Sequence, residues 1–129
     1  MRSLRFDYLA EHDAVHAAFT DYVLETKEDV ERWEREVSQK LATFGRSVDL
    51  IIDMNGLIVR AKVGSDFGTA RARVLMKYAL HSVRYGGDRA TRTSVLTSAA
   101  IHAIEANFHE TKEEAVTALR ALRKRHQAR

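Results

Sequence analysis

Near the start of the chain, apolar residues recur with a period of two, at Leu4, Phe6, Tyr8 and Ala10 and again at Val15, Ala17 and Phe19. Alternation of this kind is typical of a β-strand with one buried face. The polar residues Glu11, His12 and Asp13 separate the two stretches and have the composition of a turn. The chain is therefore predicted to begin with a β-hairpin.

The pattern becomes helical after Thr26, which lies three residues before Asp29 in a sequence that resembles a capping box. Charged residues fill the positions between the apolar ones, so this helix is expected to have one solvated face. Gly45 has the place of a left-handed C-cap. The buried stripe is predicted to contain residues that are spaced three or four apart: Val30, Trp33, Val37, Leu41 and Phe44.

A nearly continuous apolar run over residues 48–54 is rich in isoleucine and valine. Strands of this kind are normally covered on both faces, as the central strands of helix-covered sheets are. Asn55 and Gly56 follow the run and form a strong turn signal. A second helix is predicted from Ser65 and Asp66, which offer a helix N-cap. Its buried stripe is predicted to contain Phe67, Val74, Leu75 and Tyr78.

The second half of the chain contains weaker signals. We predict a loop over residues 85–88 and a strand over residues 92–97. A short helix that carries Ile101, Ile104 and Phe108 is predicted next. The last helix is predicted to follow the capping box at Thr111 and to pass into a basic tail over residues 123–129.

The elements in chain order are two strands, a helix, a strand, a helix, a strand and two helices. This order predicts an α/β fold: a mixed sheet of four to five strands, with an antiparallel N-terminal hairpin, parallel helix-linked strands and about four helices. We expect residues 1–129 to form a single domain.

An apolar strand that ends in Asp53 is followed by the turn of Asn55 and Gly56, and then by Ser65 just before a predicted helix. In this order, and in the layout of nearly the whole chain, the sequence resembles the STAS and SpoIIAA-like superfamily, which has the anti-sigma-factor-antagonist fold. The long charged helix after the hairpin resembles the broader SpoIIAA-like group of bacterial proteins. The resemblance implies a SpoIIAA-like fold and a regulatory protein that binds a partner rather than an enzyme.

Composition narrows the class of protein further. Hydrophobic residues make up 45% of the chain and charged residues 30%, which is ordinary for a globular protein. The absence of cysteine excludes disulfides, thiolate catalysis and cysteine metal sites. No apolar run approaches the roughly 18 to 20 residues of a membrane-spanning helix, and the first residues do not resemble a secretory signal. We therefore expect a cytoplasmic protein with no membrane association.

Ser65 is the first candidate site residue. A phosphate at a helix N-terminus would meet free backbone N–H groups and the positive end of the helix dipole, so Ser65 is a candidate phosphoacceptor. The alternative is a simple helix cap, which the neighbouring Asp66 favours because its charge would repel a phosphate. A protein partner or a small ligand is expected to bind near the loop over residues 55–68, with these binding residues: Asp53, Asn55, Gly56, Asp66 and Arg71. In the apolar stripe of the second helix, Arg71 would either extend its charged end to solvent or hold an anion.

Nucleic-acid binding is the alternative function. Residues 60–92 carry eight Lys or Arg and two Asp or Glu, a net charge of +6, whereas residues 1–47 carry seven and ten, a net charge of −3. Arg73, Lys77 and Arg84 are predicted to share the solvent face of the second helix, and a basic surface of this kind attracts phosphate. The other interpretation is that this charge balances the acidic first helix, which makes nucleic acid the less favoured partner.

Asp49 and Asp53 lie four residues apart on one predicted strand, and therefore on one side of it, as a paired-carboxylate enzyme would need. The chain contains no catalytic-triad order, P-loop or dinucleotide-binding glycine motif. None of its six histidines has the spacing of a metal site. We therefore predict a protein that is not an enzyme and has no cofactor and no metal, and that is able to form a homodimer through an exposed sheet edge.

Overall fold

The computed structural model describes residues 1–103 and 106–127, which form two β-sheets and four α-helices. The strands are β1 (Ser3–Leu9), β2 (Ala14–Thr20), β3 (Tyr22–Leu24), β4 (Val48–Asp53), β5 (Leu57–Val59), β6 (Ala79–Tyr85) and β7 (Phe108–His109). The helices are α1 (Lys27–Ala42), α2 (Gly64–Tyr78), α3 (Arg89–His102) and α4 (Lys112–Gln127), and a 3-10 turn (Ala61–Val63) precedes α2.

The main sheet has the strand order β1-β2-β4-β6-β7. β1 and β2 are antiparallel and form the predicted hairpin, whereas β2, β4, β6 and β7 run parallel to one another. The short strands β3 and β5 form a separate parallel pair. The predicted α/β class is therefore confirmed, with its antiparallel hairpin, its parallel strands and its four helices.

The two faces of the main sheet carry cores of different size. The predicted stripe of α1 packs with α2, α3 and one face of the sheet, where Leu50 and Met54 of the β4 segment are buried. The other face of β4 presents Ile51, which packs with Val83 of β6 and with α4 in a smaller core. Because both faces of β4 are covered, its apolar sequence is nearly continuous, as expected for a central strand.

The predicted helix starts of α1 and α4 are confirmed. The Oγ1 of Thr26 accepts a hydrogen bond from the backbone N of Asp29 at 3.1 Å, and Asp29 Oδ2 accepts one from the backbone N of Thr26 at 3.0 Å. The Oγ1 of Thr111 accepts a hydrogen bond from the backbone N of Glu114 at 3.2 Å. Both helices thus satisfy backbone donors that have no partner within the helix.

The strand predicted over residues 92–97 is wrong, because these residues lie within α3. Asp88 is the N-cap, and its Oδ1 accepts a hydrogen bond from the backbone N of Thr91 at 2.7 Å. Thr91, Val95 and Ser98 are buried at helical spacing, so packing against α2 overrides the strand preference of β-branched residues. In place of the short predicted helix, Ile101 lies in α3 and Phe108 in β7, and Ile104 lies outside the described residues.

Two further boundaries differ from the prediction. Residues 79–84 do not continue α2, since they form most of β6, which pairs with β4 along its length and with β7 at its end. Pairing with two neighbouring strands decides their conformation, and the helical spacing of the sequence did not reveal it. Residues 123–127 of the predicted basic tail are part of α4, and residues 128–129 lie outside the described residues.

Candidate functional site

The loop after β4 is held in place by its own polar side chains. The Oδ1 of Asp53 accepts hydrogen bonds from the backbone N and the Nδ2 of Asn55, both at 2.9 Å. The Oδ1 of Asn55 accepts a hydrogen bond from the backbone N of Gly87 at 3.1 Å. A Cβ at Gly56 would collide with the carbonyl oxygen of Phe19, so the loop approaches β2 closely. The loop is therefore a fixed surface, and Asp53 caps its turn.

Ser65 is exposed in the first turn of α2. Gly64 already has helical backbone angles, φ −57° and ψ −43°, because the preceding 3-10 turn leads directly into α2. The N-cap position belongs to Val63, which makes no side-chain cap hydrogen bond. The alternative in which Ser65 caps the helix is therefore wrong, and its role as a phosphoacceptor stays a prediction.

The loop after β4 and the start of α2 lie at the same edge of the main sheet. β4, α2 and β6 form a β–α–β unit, in which the helix begins at the carboxyl edge of the parallel strands. Exposed side chains at this edge come from the loop, from the connection after β5 and from the first turn of α2. We call this set the carboxyl-edge surface: Asn55, Arg60, Lys62, Ser65 and Asp66.

Arg71 does not belong to this surface. Its side chain is 4% exposed, and its Nη1 donates a hydrogen bond to the Oγ of Ser98 at 3.4 Å. Burial lowers the pKa of Arg71 to about 10. Of the two alternatives for Arg71, the one in which its charged end reaches solvent is wrong, because α3 covers this side of α2.

The predicted basic surface does not form. Arg84 lies in β6, where it is 1% exposed and donates hydrogen bonds to the carbonyl oxygen of Ala106 and to the Oγ of Ser82. Burial also lowers the pKa of Arg84. Arg73 is paired with Glu34 of α1 through two hydrogen bonds of 2.7 Å. Two of the three predicted phosphate contacts are thus engaged elsewhere, and the geometry does not favour nucleic-acid binding.

Lys77, the third residue of that predicted surface, is exposed. Its Nζ lies 5.3 Å from the ring centroid of Tyr78, the next residue of α2, in a cation–π contact. A single exposed lysine supplies little of the phosphate-neutralising charge that nucleic-acid binding needs.

A polar cluster also lies on the face of the sheet that α4 covers. The Nε2 of His16 and the Oη of Tyr85 are 2.7 Å apart and share a hydrogen bond. Burial, followed by the charge of Lys112, lowers the pKa of His16. Burial, followed by the charge of Asp53, raises the pKa of Tyr85 to about 12. Near neutral pH the pair is therefore an uncharged imidazole and an uncharged phenol.

Asp49 and Asp53 do not form a pair of catalytic carboxylates. They lie on one face of β4, as predicted, but each has partners of its own at opposite ends of the strand. Asp49 is 8% exposed and accepts hydrogen bonds from the backbone N of His81 at 3.0 Å, from His81 Nδ1 at 2.8 Å and from Arg123 Nε at 2.7 Å. The carboxylate pair that the spacing of the two residues allowed therefore does not form.

The cluster of Asp49, His81 and Arg123 borders a cavity of about 470 Å³. The cavity lies between the end of α2, the start of β6 and the end of α4. His81 and His126 are part of its wall, with ring centroids 5.5 Å apart and nearly perpendicular planes. This site is at the amino edge of the parallel strands, away from the carboxyl-edge surface.

The sequence pattern did not reveal this second site. One signal was present, since Asp49 interrupts an otherwise apolar strand and a buried carboxylate needs a partner. The sequence did not indicate these partners, because the second helix, predicted to extend to Arg84, would include His81, and because Arg123 falls in the predicted basic tail. Both assignments are wrong: His81 lies in β6, next to an irregularity in the pairing with β4, and Arg123 lies in α4.

Within residues 1–103 and 106–127, no group of three or more His, Asp or Glu residues has the arrangement of a metal site. No helix in the same part of the chain is long and apolar enough to cross a bilayer.

The fold is similar to that of a known regulatory protein. The solved structure of the anti-sigma factor antagonist SpoIIAA in its unphosphorylated form matches with a TM-score of 0.56 and 16% sequence identity, over 92% of this chain and 97% of that chain. No protein-family model and no curated protein sequence matches the chain. The chain therefore has a SpoIIAA-like fold, and the resemblance noted in the sequence is confirmed at the level of the fold.

Proposed function

We propose that this protein is a regulatory, non-enzymatic domain that binds a protein partner through the carboxyl-edge surface. The observation that carries the proposal is the exposure of Ser65 in the first turn of α2, in a fold that it shares with an anti-sigma factor antagonist. The solved structure of that protein is of its unphosphorylated form, and modification of a serine is a direct way to control binding.

A phosphate on Ser65 would change the charge of this surface at one defined place. It would lie beside the first turn of α2, where backbone N–H groups have no helical partner and the helix dipole is positive. Lys62 is three residues earlier and exposed, whereas Asp66 is adjacent and negative. Phosphorylation is therefore expected to alter the electrostatic match with a partner while leaving the helix in place.

The polar groups of the neighbouring loop support binding rather than catalysis. The carboxylate of Asp53 is engaged by Asn55, and the amide oxygen of Asn55 is engaged by Gly87. Fixed side chains of this kind stabilise the shape of a surface, and their polar atoms are engaged within the loop. A rigid surface loses little conformational entropy when a partner binds. A cytoplasmic location is part of this proposal.

The test compares partner capture by the wild-type chain, Ser65→Asp and the matched control Thr117→Asp. Thr117 is exposed on α4, away from the carboxyl-edge surface. Proteins retained from a lysate of the source cells are identified by mass spectrometry. We expect a partner that wild type and Thr117→Asp retain and that Ser65→Asp loses by about tenfold or more, which corresponds to about 1.4 kcal/mol. Identical capture by all three chains contradicts the proposal.

A second measurement tests the modification itself. The wild-type chain and Ser65→Ala are incubated with lysate and ATP, and their intact masses are compared. The addition of one phosphate to wild type and none to Ser65→Ala supports a phosphoacceptor role. Equal labelling of both chains assigns the phosphate to another residue and removes the regulatory part of the proposal.

Homodimerisation stays a prediction. β1 is an edge strand of the main sheet, and an edge strand can pair with a second copy of the chain. It also carries the exposed ion pair of Arg5 and Asp7, with 2.8 Å between the charged atoms, and charges on an edge oppose such pairing. Light scattering over a range of protein concentrations distinguishes a monomer from a dimer.

A further inference from the structure

The cavity at the amino edge of the sheet has the size of a small-molecule site. Its volume of about 470 Å³ lies within the range of roughly 300 to 1,000 Å³ that such sites occupy. Its wall combines apolar and cationic or imidazole side chains: Met76, Leu80, His81, Leu122, Arg125 and His126. The arrangement of these two kinds of side chain indicates which chemical groups a ligand of this cavity would carry.

The apolar part of the wall is unusually open to solvent. Met76 at the end of α2 is 75% exposed, and Leu80 at the start of β6 is 64% exposed. Both side chains line the cavity together with Leu122 of α4. Covering such side chains with an apolar group is favourable by about 25 cal/mol for each Å² removed from water.

The polar part of the wall is held by Asp49. Because an ionised carboxylate only accepts hydrogen bonds, the Nδ1 of His81 carries the proton that Asp49 Oδ1 accepts at 2.8 Å. Arg123 Nε fixes the other carboxylate oxygen at 2.7 Å. The Nε2 of His81 has no hydrogen-bond partner among the described residues, so the ring is oriented in the wall with one nitrogen left for a further contact.

The end of α4 adds positive charge to the same wall. Arg125 lines the cavity and is exposed, and His126 places its ring against that of His81. A guanidinium group offers several donors in a fork that matches a carboxylate or a phosphate. An anionic group can therefore bind at Arg125 while an apolar chain lies along Met76 and Leu80.

We propose that this cavity binds a small anionic amphiphile, a molecule with one carboxylate or phosphate group and an apolar chain. The site is independent of the carboxyl-edge surface, because the two lie at opposite edges of the main sheet. Failure of one proposal leaves the other unaffected.

The test is a titration of the purified, ¹⁵N-labelled full chain with octanoate and with octyl phosphate, followed by NMR. We expect saturable shifts of the amides over residues 76–82 and a Kd on the order of 1 mM, since ligands of this size gain roughly 0.3 kcal/mol or more per heavy atom. The stronger of the two ligands identifies the anionic group. Absence of saturation with both at about 10 mM overturns the proposal.

Two reference ligands separate the contributions of charge and chain. Acetate has the anionic group without the chain, and octan-1-ol has the chain without the charge. We expect both to bind at least about tenfold more weakly than octanoate, a loss of about 1.4 kcal/mol. Binding of octan-1-ol as tight as that of octanoate overturns the anionic part of the proposal.

Matched variants locate the site. Arg125→Gln removes a charge in the cavity wall, whereas Lys124→Gln removes the charge of the adjacent exposed residue, which does not line the cavity. Met76→Gln is compared with Leu96→Gln, since Leu96 is also exposed but lies on α3 outside the wall. We expect about tenfold weaker binding in the first member of each pair and less than about twofold change in the second. Equal effects within both pairs overturn the assignment.

Discussion

The backbone of Gly68 in α2 lies directly against the side chain of Ser98 in α3. The Oγ of Ser98 donates a hydrogen bond to the carbonyl oxygen of Gly68 at 3.3 Å, and a Cβ built on Gly68 would lie 3.1 Å from the Cβ of Ser98. One turn earlier, a Cβ on Gly64 would lie 3.2 Å from the Oγ of Ser94. Small residues at both places let the two helices approach closely.

A larger side chain at Gly68 is therefore expected to destabilise the fold. Gly68→Val forces α2 and α3 apart, and overpacking of this kind costs about 1 to 3 kcal/mol of unfolding free energy. Urea denaturation followed by circular dichroism measures the change. Ser98→Gly added to Gly68→Val makes room for the valine and should restore part of the loss, and Thr69→Val, exposed on the same helix, serves as the control. An additive double variant would contradict this contact.

Loss of the capping box at the start of α1 is also expected to lower stability, because a backbone N–H group loses its acceptor. Thr26→Ala leaves the backbone N of Asp29 without its hydrogen bond, at a cost of about 0.5 to 2 kcal/mol. Thermal and urea unfolding measure this loss. Thr43→Ala, at the other end of the helix, removes a hydroxyl that only donates to the carbonyl oxygen of Lys40 and should cost less.

Because Asp29 belongs to this capping box, the free energy of unfolding is expected to depend on pH in the acid range. Hydrogen bonds from the backbone N of Glu25 and then from that of Thr26 lower the pKa of Asp29 to about 2. The folded pKa lies below the unfolded value near 4, so the stabilisation is complete above about pH 4 and is lost as the pH falls toward 2. Asp29→Asn should lack this part of the pH dependence when the free energy of unfolding is measured from pH 6 to pH 2.

His16 is expected to add a second pH dependence at higher pH. Burial and then the charge of Lys112 lower its pKa, and Arg5 lowers it further. The charges of Asp53 and Asp7 raise the pKa and offset only part of this shift. Because the folded pKa lies below the unfolded value near 6.5, the contribution of His16 is complete above that pH and falls as the pH drops through the folded pKa. NMR titration of the imidazole protons should give a pKa below that of the unfolded chain, and a value above it would contradict this explanation. In His16→Gln, the slope of unfolding free energy against pH should decrease between pH 7 and pH 5.

Asp49 is expected to be structurally important although its carboxylate is part of no sequence motif. Asp49→Ala leaves the backbone N of His81 and the Nε of Arg123 without their acceptor, and an unsatisfied group of this kind costs about 1 to 3 kcal/mol. Asp66→Ala removes an exposed carboxylate and is the matched control, with an expected change below about 0.5 kcal/mol. Equal stability of the two variants in urea denaturation would show that the cluster around Asp49 contributes nothing.

The parts of the fold that local sequence determines were predictable. The run of residues 48–54 formed β4, and the residues around Thr26 formed the capping box of α1, because burial on both faces and capping leave direct traces in sequence. The predictions were wrong where contacts with residues distant in sequence determine the secondary structure. Residues 79–84 became β6 through pairing with β4 and β7, and residues 92–97 became part of α3 through packing against α2.

For the candidate sites too, local features were predictable from the sequence and contacts between distant segments were not. Ser65 lies at a helix start, as the turn and the helical spacing predicted, but the 3-10 turn before it moved the cap to Val63. The cavity at the amino edge combines His81 with His126, which are far apart in sequence and meet only because α4 packs on β6. The periodic pattern of a single sequence does not indicate tertiary contacts of this kind.

The smaller core has a consequence for the order in which the chain can fold during synthesis. Ile51 and Val83 leave the ribosome before Ala115, Val116 and Leu119, the α4 residues that cover them. At a synthesis rate of roughly 5 to 20 residues per second, one apolar face of the nascent sheet stays uncovered for a time on the order of seconds. During that interval the exposed face is a binding site for a chaperone or for a second unfinished chain, and α4 ends the interval when it packs on the sheet.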